Sequence, residues 1–467
     1  MKQPLKTSSD AEEFPLREIP LREKRSNLIR QVITLALPSL VEHFLVMLVQ
    51  MVDMIQVGGL GPWAIAAVGL ANQPMFLVFS VFMGLSVGTT ALVARFTGAG
   101  ASKQKTSAVV MQSLLITLAG AALLAVAAYI AAPWIFRLMG AEADTLAPAT
   151  TYFQIVMSGL IFTTAALVLA AALRGAGDTK TPMMVNSIAN LINILGNWLL
   201  INGIWIFPRW EVAGAAAATT FSRAVACLIL IGLLVRGKHR IHLPFRGQFK
   251  LDWDIVGRVL KVGFPTALEQ LVFRSGQVVF VTIVASFGTL VMAAHQVAIQ
   301  IESLAFMPAL AFQIAATTMV GQALGARKPA LAETSGWVTL RLAMGFMVFL
   351  SFLFFFGGKY IVLLFTSDPQ VIALGARVLK IIAFAQPGLA THFILSGALR
   401  GAGDTRFALI ATLSGIWLVR IGFGYILAVS LNLGLSGAWT AMALDMYMRA
   451  ALIFSRYRSG VWKAIKI

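Results

Sequence analysis

The sequence predicts an all-α protein that crosses a membrane twelve times. Of its 467 residues, 58% are hydrophobic and only 12% are charged, whereas soluble domains carry about 25% charged residues. Apolar runs long enough to span a bilayer as helices recur along the whole chain. The segment ALRGAGDT also occurs twice, at 172–179 and at 398–405. Together, these observations predict two related halves of six helices each.

Twelve apolar segments are the expected membrane spans. In chain order they lie near 31–57, 63–94, 107–134, 148–173, 183–207, 212–235, 260–287, 289–323, 335–358, 370–399, 407–431 and 434–455. Residues 1–30 are polar and mixed in charge, so we expect no cleaved signal peptide before the first span.

Basic residues indicate how the spans are oriented. The odd-numbered connections contain only Arg137, Arg209 and Lys359, while the even-numbered connections and the two tails are rich in Lys and Arg. Because basic residues beside membrane spans stay in the cytoplasm, we expect a multi-pass protein of the cell (inner) membrane with both termini cytoplasmic. The net charge of +18 then reflects topology and contact with membrane lipids, and we expect no nucleic-acid partner.

The repeat divides the chain into domains. Pro38 opens the first span and Pro265 opens the seventh, and an even number of spans per half makes the repeat parallel. Such paired halves are typical of transporters with a substrate cavity between them. We expect the repeated loop to be a structural hairpin in which Asp178 or Asp404 caps the next helix. The expected parts are a cytoplasmic tail (1–30), a first bundle (31–235), a basic cytoplasmic linker (236–259), a second bundle (260–455) and a cytoplasmic tail (456–467).

Several classes of chemistry are disfavoured. The single Cys227 rules out an intramolecular disulfide, and no Cys/His cluster offers a zinc site. There is no nucleophile–base pair, metal-ligand spacing or nucleotide loop in the sequence, so we do not expect an enzyme. The only cofactor we expect is a coupling ion, H⁺ or Na⁺.

Ionisable residues inside the spans are the functional candidates, since each costs about 2.5–3.5 kcal/mol to insert. The first span places Glu42, Gln50 and Asp53 on one broad face, and Pro38 gives that helix a place to bend. The fifth span carries a stripe of four asparagines, Asn186, Asn190, Asn193 and Asn197. Such a stripe must face protein or a water-filled cavity rather than lipid.

A polar pocket is expected around Asp53, because Asn193 and Asn197 lie at about the same depth. For Asn186 and Asn190 we favour helix packing. A buried carboxyl group can take up a proton or, when ionised, hold Na⁺ or an organic cation, which is the minimal chemistry of an antiporter. The alternative interpretation is a salt bridge from Asp53 to Arg223 or Arg274.

A second group of residues is assigned to a gate or a second polar site. Glu42 and Glu269 each lie four residues after a proline of the repeat, which favours a gate or packing role. Gln73 and Gln300 are repeat mates in the second and eighth spans, and Glu302 also lies in the eighth.

These motifs resemble the multidrug and toxic compound extrusion (MATE) family over residues 30–455. They are LRGAGDTKTP after the fourth span, LRGAGDTR after the tenth, AAHQVAIQIESLAFMPALAFQIAATTMVGQALGA across the eighth, and the spacing from Pro38 to Asp53. The resemblance implies two six-helix bundles around a V-shaped cavity, and export of amphipathic, often cationic compounds in exchange for H⁺ or Na⁺.

Within that family, the DinF-like branch resembles the chain more than the NorM-like branch does. The resemblance implies that Asp53 is the coupling residue and that Asn193 and Asn197 belong to its polar cluster. An acid is usual where Asn197 stands. The NorM-like branch has an acid late in the seventh span and another in the tenth span. In this chain the acid of the seventh span, Glu269, comes earlier, and the tenth span has no acid. These departures favour proton coupling through Asp53.

We therefore predict a secondary active multidrug exporter. It would act as a monomer on small amphipathic drug-like substrates by alternating access. The alternative is a flippase of a lipid-linked precursor. A flippase would need more cationic residues in its cavity than the three candidates in the spans, Arg223, Arg274 and Arg420, provide. A passive channel is the remaining alternative.

Overall fold

The structure is a computed structural model that describes residues 21–237, 241–243 and 251–467. In these residues the chain forms thirteen α-helices: α1 (Leu21–Gly58), α2 (Pro62–Gly98), α3 (Lys103–Leu138), α4 (Ala143–Ser158), α5 (Leu160–Gly175), α6 (Lys180–Asn202), α7 (Glu211–Val235), α8 (Trp253–Ala285), α9 (Thr289–Gly325), α10 (Pro329–Leu363), α11 (Pro369–Ala402), α12 (Thr405–Leu413) and α13 (Gly434–Ser459). Two π-helical segments, Ser414–Phe423 and Ile426–Ser430, continue α12, and a short 3₁₀ helix, Val461–Ala464, follows α13.

These helices match the twelve predicted spans. Among the described residues, ten helical stretches are long and apolar enough to cross a membrane. The pair α4 and α5, bent by 50° at Gly159, makes an eleventh. The twelfth, α13, is more polar because it carries Asp445 and Arg449. The all-helical, multi-pass fold expected from the sequence is thus confirmed.

Helix α1 continues through Pro38, the residue that we expect to give this helix a place to bend. A proline cannot donate a hydrogen bond, so the carbonyl of Thr34 loses its helical partner. The Thr179 hydroxyl, which follows the first GAGD sequence, donates to that carbonyl at 3.4 Å. The repeated motif therefore supports α1 at its proline.

We call the end of the helices where α1 begins and α13 terminates the basic end, and the other end the far end. Helices α1–α7 form the first half and α8–α13 form the second half. At the basic end the two halves touch through backbone. A Cβ on Gly84 of α2 would lie 2.5 Å from the Gly263 carbonyl oxygen of α8. Arg95 of α2 donates to the carbonyls of Ala402 and Ile465, both at 3.0 Å.

At the far end, the buried apolar side chains form two separate clusters. One lies within 57–216 and the other within 280–446, so each is confined to one half. At the basic end, by contrast, one cluster joins Val32 of α1 to Ala315 and Met319 of α9. The molecule is therefore closed at the basic end, and its halves separate toward the far end.

Candidate coupling and binding site

Asp53 lies near the far end of α1, where two asparagines of α6 contact it. The Asn197 amide donates to Asp53 Oδ1 at 2.6 Å. With its nitrogen facing the carboxylate, the Asn193 amide donates to Oδ1 at 2.9 Å and to Oδ2 at 3.3 Å, and its oxygen accepts from the Thr219 hydroxyl of α7 at 3.1 Å. Both asparagines are buried: Asn193 is 4% exposed and Asn197 is 1% exposed. The structure thus brings together Asp53, Asn193 and Asn197, three of the residues that the sequence assigned to one pocket.

The stripe on α6 faces α1 along its length because residues three and four apart share one face of a helix. Asn186 donates to Glu42 at 2.6 Å, and Asn197 donates to Asp53. The two asparagines are eleven residues apart on α6, as the two acids are on α1. Asn190, between them, is buried, and its Nδ2 finds no hydrogen-bond partner among the described residues. The Oδ1 atom of Asn197 is likewise buried without a donor.

Two further side chains interact electrostatically with Asp53. Arg223 of α7 and Tyr152 of α4 lie close enough to interact with its carboxylate. The ion pairs found within the described ranges do not include Asp53, so neither Arg223 nor Arg274 forms the salt bridge considered as the alternative. The carboxylate is therefore held by neutral amides, with one guanidinium nearby. Gln50, one turn away on α1, is exposed.

Glu42 and Glu269 are held in matching triads, one in each half. Arg174 pairs with Glu42 at 3.1 Å, and Asn186 completes the first triad. Arg400 pairs with Glu269 at 2.8 Å, where the Thr412 hydroxyl donates at 3.0 Å.

Both arginines belong to the repeated ALRGAGDT, so each triad ties three helices of one half together. Sequence reasoning missed these partners. The signal was available, since the acids and the arginines recur at almost the same spacing.

A second buried charge cluster lies in the second half. Asp445 of α13 accepts from Arg420 at 2.9 Å and from Arg449 at 2.7 Å. Glu302 of α9 is 2% exposed and interacts electrostatically with both arginines. Its Oε1 atom has no hydrogen-bond partner in the described part of the chain. The sequence singled out Glu302 but did not predict the pairing of Asp445.

Gln73 and Gln300 are exposed on α2 and α9, and the side-chain hydrogen bonds of the described residues do not involve them. The residues assigned to a gate or second site therefore do not form one site. They divide into two triads, one charge cluster and two exposed glutamines.

The two copies of the repeated loop end differently. In the first, Asp178 accepts from the Thr181 backbone N–H at 3.0 Å and caps α6, as expected. In the second, Asp404 makes no such bond to α12 and instead accepts from Arg456 at 2.7 Å. The capping prediction for Asp404 was wrong, because an arginine of α13 lies close enough to bind that carboxylate.

A metal centre finds no support in this arrangement. Within the described residues, no group of three or more His, Cys, Asp or Glu side chains could hold a metal ion.

Two related helical halves, joined at one end and separated at the other, with an amide-bound carboxyl group inside the membrane, define a membrane transporter rather than an enzyme.

The chain belongs to the MatE family of transporters. The family model matches residues 38–199 and 265–426, so each match begins at a proline of the repeat. The family expected from the sequence is confirmed.

A relative and two solved structures extend the comparison. The "Probable multidrug resistance protein NorM" of Thermotoga maritima is 33% identical over 445 residues, which cover 95% of each chain. A solved structure described as the outward-facing conformation of a multidrug resistance MATE family transporter of the MOP superfamily is 25% identical. It superposes with a TM-score of 0.86 over 93% of this chain and 97% of its own. A MOP superfamily transporter from Pyrococcus furiosus Vc1, for which "reverse polarity of binding pocket suggests different function", is 25% identical. It has a TM-score of 0.86 over 92% of this chain and 95% of its own.

Proposed function

We propose that the chain is a secondary active multidrug exporter that exchanges small amphipathic compounds for protons, with Asp53 as the coupling group. The relative from Thermotoga maritima is named a probable multidrug resistance protein. In this proposal the basic end faces the cytoplasm, because basic residues beside membrane spans are retained there. The closed basic end then makes this an outward-open state.

The observation that carries the proposal is the set of partners around Asp53. Asn193 and Asn197 both donate to its carboxylate. An ionised carboxylate only accepts hydrogen bonds, whereas a protonated carboxyl group is also a donor. Protonation of Asp53 therefore turns one carboxylate oxygen into a donor and removes the negative charge that strengthens the hydrogen bonds from both buried amides. Because the amides lie on α6 and the acid on α1, a proton would alter the packing of these two helices.

The donors around Asp53 favour the proton over Na⁺ as the coupling ion. Sodium would be held by oxygens of Asp53, Thr219 and the asparagine amides. The amide nitrogens, however, face the carboxylate, so they present donors where Na⁺ would need oxygen ligands. A proton neutralises the carboxylate through a covalent bond and needs no coordination shell. Coupling through the first half is also the reason for placing the chain in the DinF-like branch.

The available energy is sufficient for efflux. At about 100 mV, one inward proton supplies about 2.3 kcal/mol, with about 1.4 kcal/mol more for each pH unit. Together these would sustain a gradient of several-hundred-fold for a neutral compound exchanged one for one.

The test is transport into reconstituted vesicles, first under an imposed pH gradient and then under an imposed sodium gradient. The full chain should move a fluorescent amphipath under the pH gradient, and Asp53→Asn should abolish that movement. The matched control is Asp144→Asn, which removes an exposed acid of α4 and should transport normally. Normal transport by Asp53→Asn, or transport that follows only the sodium gradient, would contradict the assignment.

A further inference from the structure

Arg274 is the side chain that the proposed mechanism leaves without a role. It lies on α8, on the face that meets α2 of the other half. Gly263 of the same face touches Gly84 at the closed basic end. Arg274 comes eleven residues later, about 16 Å further along the helix. There its guanidinium lies 4.9 Å from the ring centroid of Phe76 on α2. Arg274 and Phe76 therefore mark the place where the two halves begin to separate.

Among the described residues, no carboxylate pairs with Arg274. Four other arginines inside the spans each have a carboxylate within ion-pair distance: Arg174, Arg400, Arg420 and Arg449. The ion pairs of the described residues do not include Arg274. Its side chain is exposed, and its ring partner Phe76 is 43% exposed.

An unpaired guanidinium at this depth points to a ligand. Charged side chains within a bilayer face the bundle interior or a water-filled cavity, because contact with lipid is costly. A guanidinium presents a planar set of donors that matches carboxylate, sulfonate and phosphate groups. The acid of the first half, Asp53, is by contrast already engaged by two amides. The cleft between the halves therefore offers a cation, with an aromatic ring beside it.

We infer that Arg274 binds an anionic group of the transported compound, while Phe76 contacts its aromatic or apolar body. The inference rests on the proposed exporter function and narrows its substrates to amphipathic organic anions. It departs from the cationic compounds that the family resemblance implied.

Export of an anion would depend on the membrane potential in a way that can be measured. An anion leaving the cell and a proton entering it both move charge in the direction that the membrane potential favours. Two charges then cross for each cycle, so the potential contributes about twice as much as it does for a neutral substrate. Exchange of a monovalent cation for one proton, by comparison, moves no net charge.

The experiment uses the full chain in proteoliposomes with an acidic lumen and two aromatic probes of opposite charge, 1-pyrenesulfonate and ethidium. We expect uptake of 1-pyrenesulfonate that a lumen-positive potential accelerates. Arg274→Gln should reduce its initial rate at low concentration at least about tenfold, since a charge-assisted contact is lost. Arg274→Lys should retain a measurable part of the rate. The control Arg341→Gln removes another exposed arginine, on α10, and should leave uptake unchanged.

Each outcome separates the inference from the proposed function. If the chain accumulates ethidium but not 1-pyrenesulfonate, or if Arg274→Gln behaves like Arg341→Gln, the role of Arg274 is refuted and the exporter stands. If neither probe accumulates under the pH gradient, the proposed function fails, and this inference fails with it. Uptake of 1-pyrenesulfonate that is lost in Arg274→Gln and unaffected in Arg341→Gln supports both.

Discussion

Replacing Gly84 with alanine should open the basic end of the molecule. The added Cβ would lie 2.5 Å from the Gly263 carbonyl oxygen and 2.6 Å from both the backbone nitrogen and the Cβ of Ala267. These are atoms of the helix backbone or fixed directly to it, so they cannot turn aside as a long side chain would. Helices α2 and α8 would have to move apart.

The size of the effect follows from the cost of overpacking. Inserting a methyl group into a well-packed contact costs about 1–3 kcal/mol. This cost falls on the state that is closed at the basic end and not on a state in which α2 and α8 have separated. The ratio of open to closed molecules should therefore rise by about 5-fold to 150-fold.

A matched control is available on the same helix. A Cβ on Gly69 of α2 would meet no atom within 4 Å. Gly69→Ala therefore brings the same gain in helix propensity without the clash. The assay is maleimide labelling of Val259→Cys in a Cys227→Ser background, since Val259 is fully buried at the basic end. Equal labelling rates for Gly84→Ala and Gly69→Ala would refute the reasoning.

Three further substitutions test the contacts inside and between the halves. Asp445→Asn removes the carboxylate that pairs with the buried Arg420 and Arg449. It should cost about 3–5 kcal/mol of stability, measured by thermal unfolding against the exposed control Asp254→Asn. Glu42→Gln should likewise destabilise the first half by breaking its pair with Arg174, yet each folded molecule should still couple transport to protons; loss of coupling without loss of stability would contradict the triad's structural role. Arg95→Ala removes two hydrogen bonds at the basic end and should increase the rate at which maleimide labels Val259→Cys. An unchanged labelling rate would contradict a role for these bonds in closing the basic end.

The spans could be predicted from sequence because bilayer thickness sets both their length and their composition. Their ends were harder to place. The fifth span was expected to reach residue 207, but α6 ends at Asn202, where Gly203 adopts a positive φ of 69°. Trp205 and Ile206 follow as 92% and 89% exposed side chains. Hydropathy counts such residues as membrane-spanning whether they lie in a helix or in a loop.

The pocket of Asp53 was predictable because depth in the membrane can be read from position along a span. Two helices that cross the same bilayer place residues at matching depth, and Asp53 and Asn197 meet for that reason. The triads were not predicted, since Arg174 and Glu42 are 132 residues apart and nothing local joins them. The bend at Gly159 and the π-helical segments after α12 were not predicted either, because hydropathy gives the length of a span but not the path of its backbone.

Proton movement driven by substrate is the most direct measurement of coupling through Asp53. A substrate gradient is imposed on proteoliposomes in the absence of any pH gradient, and lumenal pH is followed with a trapped dye. The full chain should move protons against the flow of substrate, while Asp53→Asn should still bind the substrate and move no protons. Proton movement by Asp53→Asn at the rate of the unaltered chain would show that another group carries the proton.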